Sequence, residues 1–194
     1  MNHIPVFVME KIKMRGLKIS DAPSLFQFMS RPDTMKYITP HPVLFLKEME
    51  VYVEERLAGF RKHKEIPWVI ENEEGECIGF FRFHKWNLWH RKAEMGAVIH
   101  PKYQKAGIMT EVLLTVLPYA FDTLNLNRIV GDIFAENEGS RRLLNKFGFR
   151  EEGVLRETDF DGERFQDTVV FSMLKKEYEQ VKQTFDQRIM KHLF

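Results

Sequence analysis

From Ala93 to His100 apolar and polar positions alternate, with Met95, Ala97 and Ile99 on one face and Glu94, Gly96, Val98 and His100 on the other. That is the two-residue period of a strand. From Ile108 the period lengthens: Ile108, Val112, Leu113, Val116, Leu117, Ala120 and Phe121 fall on one helical stripe. Gln104 to Thr110 is therefore a turn that feeds a helix amino terminus. A second unit repeats the pattern, with a strand over Arg128 to Ala135 and a helix over Asn137 to Phe147 that stops at Gly148.

Upstream, Met14 to Ile19 reads as a strand, and Ser20 or Asp21 can cap a helix containing Leu25, Phe26 and Phe28. Phe45, Met49, Val53, Leu57 and Phe60 give a second helix. Pro67 to Glu71 and Cys77 to His84 are apolar runs joined by the turn-rich Asn72 to Gly75, a hairpin signal. Arg156 to Asp159 and Thr168 to Met173 flank Asp161-Gly162, another hairpin turn. The order is strand, two helices, three strands, helix, strand, helix, two strands. It predicts an α/β (α+β) chain with a mixed, mostly antiparallel central sheet flanked by helices on both faces. Pro118 lacks a backbone donor and should bend or interrupt its helix.

At 194 residues the chain suits one domain. Residues 1–175 are read as that domain and residues 176–194 as a helical extension of it, whose Leu174, Tyr178, Val181 and Phe185 spacing suits packing on the domain or on a second subunit. Monomer and homodimer both stay open. The formal charge is +1, with basic residues scattered among acidic ones, so no direct nucleic-acid surface is expected. Cys77 is the only cysteine, which excludes an intramolecular disulfide. His84 and His90 have no ligand companions at a recognised spacing, so no metal is expected. With no signal-peptide pattern and no apolar run long enough to span a bilayer, no membrane contact and a cytoplasmic location are expected.

The first amides of a helix lack intrahelical partners and carry the positive end of its dipole, so the Gln104 to Thr110 turn can hold a phosphate or pyrophosphate. Gly107 supplies the backbone freedom. The plain alternative is a turn that binds nothing.

Gln104-x-x-Gly107-x-Met109 after a strand, then Asn137-x-x-Ser140 and Lys146-Phe-Gly-Phe149, resembles the GNAT superfamily of acyl-CoA-dependent N-acyltransferases. The tail Glu152-Gly-Val-Leu-Arg-Glu157, with Gly162 and Asp167, is similar to the branch of ribosomal-protein N-terminal acetyltransferases of the Rim type. These motifs cover roughly Met14 to Leu174. The resemblance implies the acyl-CoA N-acyltransferase fold, with acetyl-CoA as co-substrate and an amine acceptor. It places cofactor contacts at Gln104, Lys105, Ala106, Gly107, Ile108, Met109 and Thr110, at Val98 and His100 through main chain, and at Asn137. The superfamily's loop usually ends in Gly or Ala where this chain has Met109.

Acetyl transfer to an amine needs a base for the ammonium, donors for the oxyanion and an acid for the leaving thiolate. Glu94 matches the strand position where many members carry a glutamate base, and Asp159 is the rival. Either can equally be a solvated carboxylate, and Asp167 is read as ordering its hairpin. Many members carry a tyrosine acid in the helix after Asn137, but this chain has Leu144 there. Ser140 is then the candidate acid, against simple capping of its helix. Arg82, His84, Trp86, Trp89 and His90 either line an acceptor pocket or pack. The leading function is acetyl-CoA-dependent N-acetyl transfer to a protein α-amino group of ribosomal-protein type. The alternatives are a small amine acceptor (polyamine, amino acid or antibiotic) and a non-catalytic acyl-CoA-binding domain.

Overall fold

The computed structural model describes residues 1, 3–39, 41–161 and 163–192, with side chains described as far as 183. The elements are β1 (Phe7–Val8), β2 (Lys13–Gly16), α1 (Ala22–Met29), α2 (Pro32–Met35), α3 (Leu46–Arg61), β3 (Ile66–Glu71), β4 (Cys77–Asn87), β5 (Lys92–Ile99), α4 (Ile108–Pro118), β6 (Arg128–Phe134), α5 (Glu138–Lys146), β7 (Arg150–Phe160), β8 (Phe165–Leu174) and α6 (Lys175–His192). One sheet runs β1-β2-β3-β4-β5-β6-β8-β7, and β5 beside β6 is its parallel pair. Every other neighbouring pair is antiparallel.

Each face of the sheet carries its own apolar cluster. Met95, Ala97 and Ile99 pack with α4 on one face, together with Trp68, Ile129 and Phe171. Val98 packs on the other with Phe28 of α1, Met49 and Val53 of α3, and Phe80. The alternation along β5 therefore sorts two cores. The second cluster draws no described residue from β6, β7 or β8, so the sheet face beyond β5 is left as an uncovered floor.

The parallel pair is short. Lys92, Ala93 and Glu94 register with Arg128, Ile129 and Val130, and there the pairing ends, although β5 runs on to Ile99 and β6 to Phe134. Two strands that diverge in mid-sheet leave main-chain groups unpaired on both inner edges, which a buried sheet does not tolerate without a substitute partner. The gap they frame is the main feature of the fold.

Several local expectations need correction. Phe45 lies before α3 and is 66% exposed, so the buried stripe of that helix begins at Met49. Asp21 does not cap α1 with its side chain. Its carboxylate turns back to the Lys18 amide at 2.7 Å and takes a two-pronged contact from Arg15 at 2.7 and 2.8 Å. β2 stops at Gly16, and β1 and α2 had no periodic signal because each is shorter than the repeats that announce an element. Gly162 and the side chain of Phe185 lie outside the described residues.

Pro118 ends α4, and Tyr119–Thr123 follow as one π-helical turn closed by Leu124 N to Tyr119 O at 2.9 Å. The wider turn keeps Ala120 and Phe121 fully buried. Phe121 stacks on Tyr178 of α6 at 4.8 Å, and Asp122 accepts from Tyr178 at 3.2 Å and from Lys182 at 2.8 Å. The proline thus shapes the dock for α6, which packs on its own domain through Tyr178.

Candidate active site

His100 N donates to Ile78 O at 2.9 Å, and the register pairs Val98 with Phe80 and Ile99 with Gly79. In an antiparallel ladder the residues that bond a neighbour alternate with those that face away. Val98 and His100 therefore spend their main chain on β4, and the gap is faced by the main chain of Met95, Ala97 and Ile99. Arg91 confirms the phase, since its carbonyl accepts from Asn127 and Arg128 on the β6 side. The main chain of Val98 and His100, expected to meet the cofactor, is thus turned to β4: the side-chain period shows faces, whereas main-chain direction depends on the partner strand. The His100 side chain accepts from Lys102 N at 3.2 Å and lies edge-on to Phe28 and Tyr103.

Beyond β5 a short 3-10 turn, Pro101–Tyr103, leads into the loop. Lys105 and Gly107 both adopt positive φ, 61° and 85°. Left-handed residues at alternate positions turn successive amides inward as an anion nest. The amides of Lys105, Ala106, Gly107, Ile108 and Met109 have no hydrogen-bond partner among the described residues, while Thr110 N is committed to Gly107 O at 2.8 Å. The Met109 side chain packs on the α4 core and so leaves the nest clear. Gln104 does not point outward for a ligand: its amide donates to Ile99 O at 3.1 Å and closes the free end of β5. A gap with unpaired strand edges that leads to a nest at a helix amino terminus suits an extended amide-bearing arm ending in a pyrophosphate.

Asn137 caps α5 by accepting from Ser140 N at 3.1 Å. The Ser140 hydroxyl makes no hydrogen bond among the described residues, so capping is done by Asn137 and the serine oxygen is left for other work. Leu144, where a tyrosine acid was a possibility, is buried against Gly131 and fills the face of β6 under α5.

On the opposite, uncovered face Glu94 of β5 stands across from His84 and Val130, and Lys85 Nζ holds its carboxylate at 2.8 Å. Asp159 of β7 accepts from Thr168 Oγ1 at 2.5 Å. Between them, on β6, lies a residue that periodicity did not single out. Asp132 has its pKa raised, first by loss of water around it and next by the like charges of Glu94 and Asp159, with Lys85 opposing. Its side chain still opens to solvent, which keeps it able to exchange protons. The signal missed was its place in β6 between two inward residues, Gly131 and Ile133. His84 is held neutral, with its pKa lowered to about 3 by burial and then by Arg82, Lys85 and Arg56. Asp167 accepts from Glu157 N at 2.9 Å and so orders the bulge of β7.

The floor continues into a cleft of about 280 Å³. Lys36, Tyr37 and Thr39 form one wall, with Phe134, Glu136, Asp161, Glu163 and Gln166 opposite. Asp161 accepts from the Glu163 and Arg164 amides at 2.9 Å, which with Gln166 hold its pKa down at about 2. The aromatic and basic residues after β4 do not act together: Trp86 is buried, Trp89 is 90% exposed at the β4–β5 turn, and Arg82 with His84 face the floor. Cys77 is half-buried with its thiol pushed up to about 12 by desolvation, so it is no nucleophile.

Comparison with known proteins gives the family. The Acetyltransferase (GNAT) domain family matches residues 11–150. The N-acetyltransferase YoaA of Bacillus subtilis is 31% identical over 172 residues, 88% of this chain and 97% of that protein. YdaF of the same organism, described as a ribosomal N-acetyltransferase, is 34% identical over 106 residues, 55% of this chain and 58% of the relative. The crystal structure of spermidine N-acetyltransferase from Vibrio cholerae in complex with CoA and spermine superposes with a TM-score of 0.78 at 27% identity, covering 87% of this chain and 98% of that one. The chain belongs to the GNAT family of N-acetyltransferases.

Proposed function

We propose that the protein transfers acetyl from acetyl-CoA to the primary amine of a cationic acceptor, and that a small polyamine is the acceptor its cleft suits best. The observation that carries this reading is the run of carboxylates on the acceptor face. Glu94, Asp132 and Asp159 surround the gap, and Asp161 and Glu163 continue into the cleft beside Glu136, which Arg164 pairs. A second ammonium on the acceptor would meet Glu163 and Asp161, whose carboxyl is ionised at neutral pH.

Acetyl-CoA would be held by the amides of Lys105 to Met109 and by the gap-facing main chain of Met95, Ala97 and Ile99, and it supplies the activated thioester. Asn137 and Ser140 stand on that side. The acceptor enters from the other, as an ammonium with a pKa of about 10.4 if it resembles lysine. A carboxylate with a raised pKa is a better proton acceptor than an ordinary one, which assigns the base to Asp132, directly or through a water, with Glu94 and Asp159 keeping the site negative. The amine nitrogen then bonds to the acetyl carbon as the carbon–sulfur bond breaks, and Ser140 donates the proton that the departing sulfur needs. No side chain is acylated on this route.

A protein α-amino acceptor is the second reading. It is favoured by Ser140 standing in for a tyrosine acid and by Ile38, Leu44, Phe45, Phe160 and Phe165, exposed apolar residues of the α2–α3 segment and the β7–β8 hairpin. Initial rates with spermidine and with short peptides decide between the two. Saturable turnover of spermidine that loses affinity in Glu163→Gln supports the polyamine, turnover of peptides alone supports the second reading, and acetyl-CoA binding with no turnover of any amine sinks both.

A further inference from the structure

The chain is nearly neutral, yet the fold gathers unpaired cations at one end of the sheet. Lys64 O accepts from Trp86 N, Asn87 registers with Lys92, Arg91 O accepts from Asn127 and Arg128, and Lys175 N donates to Asn127 O. The end of α3, the β4–β5 turn, the entry to β6 and the start of α6 therefore meet. Arg61, Lys62, Lys64, Arg91 and Lys176 are exposed there, and none is within ion-pair distance of a carboxylate among the described residues. The nest and the acceptor cleft lie at the other end, where β5 and β6 finish, and Lys92, which lines the pocket of Glu94 and Asp132, belongs to that site and not to this patch.

At its tip Trp89 is 90% exposed beside Leu88 at 60%. The turn is built: Asn87 Oδ1 accepts from His90 N at 2.8 Å, and Lys85 and Arg91 adopt positive φ on either side. A held, outward indole ringed by unpaired lysines and arginines is poor material for a protein interface, whose centre is depleted of lysine. It also lacks the broad apolar face that membrane adsorption needs, having two apolar residues on one turn. Stacking from an aromatic combined with backbone neutralisation from surrounding cations is the chemistry of single-stranded nucleic acid binding.

We propose that this end of the molecule docks single-stranded or looped RNA, independently of the acetyl-transfer site. The test is fluorescence anisotropy with a fluorescein-labelled, mixed-sequence single-stranded RNA over a series of salt concentrations. Binding should weaken steadily as salt rises, and Trp89→Ala and the pair Lys62→Glu with Arg91→Glu should each weaken it about tenfold. Lys47→Glu, at the opposite end of α3, should bind as the parent does. Acetyl-CoA turnover should be unchanged in all of them, which also shows that they fold. Absence of salt-dependent binding, or parental affinity in both tip variants, overturns the proposal. Co-sedimentation with phosphatidylglycerol vesicles without RNA binding overturns it in favour of a membrane surface.

Discussion

Asp132 offers the sharpest test of the proposed chemistry, because its raised pKa follows first from loss of water around it and then from the like charges of Glu94 and Asp159. Asp132→Asn should lower kcat about a hundredfold while leaving acetyl-CoA affinity unchanged, since the change touches only the acceptor face. An unchanged kcat would move the base elsewhere. Ser140→Ala should likewise lower kcat with little effect on cofactor affinity, because Asn137 already caps α5. His84 gives a prediction in stability. Folded His84 titrates at about 3 against an ordinary 6.5, so between those values the unfolded chain binds the extra proton and acidification destabilises the fold. That contribution is complete above 6.5 and gone below about 3. His84→Gln should flatten the dependence of urea-unfolding stability on pH in this window, and an unaltered slope would show that His84 is not its source.

The nest depends on backbone shape more than on side chains. A Cβ on Gly107 would meet nothing within 4 Å, so the residue is required for its φ of 85° and not for space. Gly107→Ala should cost about 1 kcal/mol of stability and raise KM for acetyl-CoA with kcat little changed; the reverse pattern would place the loop in the chemistry. The strand and helix on either side of this loop were legible because β5 and α4 each bury one face, which imposes periods of two and of three to four on the chain. The divergence of β5 from β6 was not, since it depends on where a pairing between segments far apart in sequence stops. The carboxylates Glu94 and Asp159 were found from a resemblance and a hairpin. Asp132 was not, because a charged residue between inward Gly131 and Ile133 looks like any solvated strand position. Glu94 meets a partner that no periodicity announced, Lys85, whose Nζ lies 2.8 Å from its carboxylate.

Across the molecule the sheet, on the proposed reading, separates two jobs, with the cofactor arm and Ser140 on the α4–α5 side and the acceptor with its carboxylates on the uncovered floor. The α6 dock steadies this arrangement from behind: Tyr178 is fully buried and stacked on Phe121. Tyr178→Ala should cost about 3 kcal/mol in urea unfolding without altering the acceptor preference of the folded protein. The near-zero net charge suggested no basic surface, and only folding reveals one, because Lys62, Arg91 and Lys176 come from three separate segments. The proposed chemistry requires direct transfer through the gap while both substrates are bound, with no acylated side chain between them. Initial rates measured while acetyl-CoA and the amine acceptor are varied together test it most directly. Double-reciprocal lines that intersect are the result the structure predicts, and parallel lines, the mark of an acyl-enzyme released from its first product before the amine binds, would contradict it.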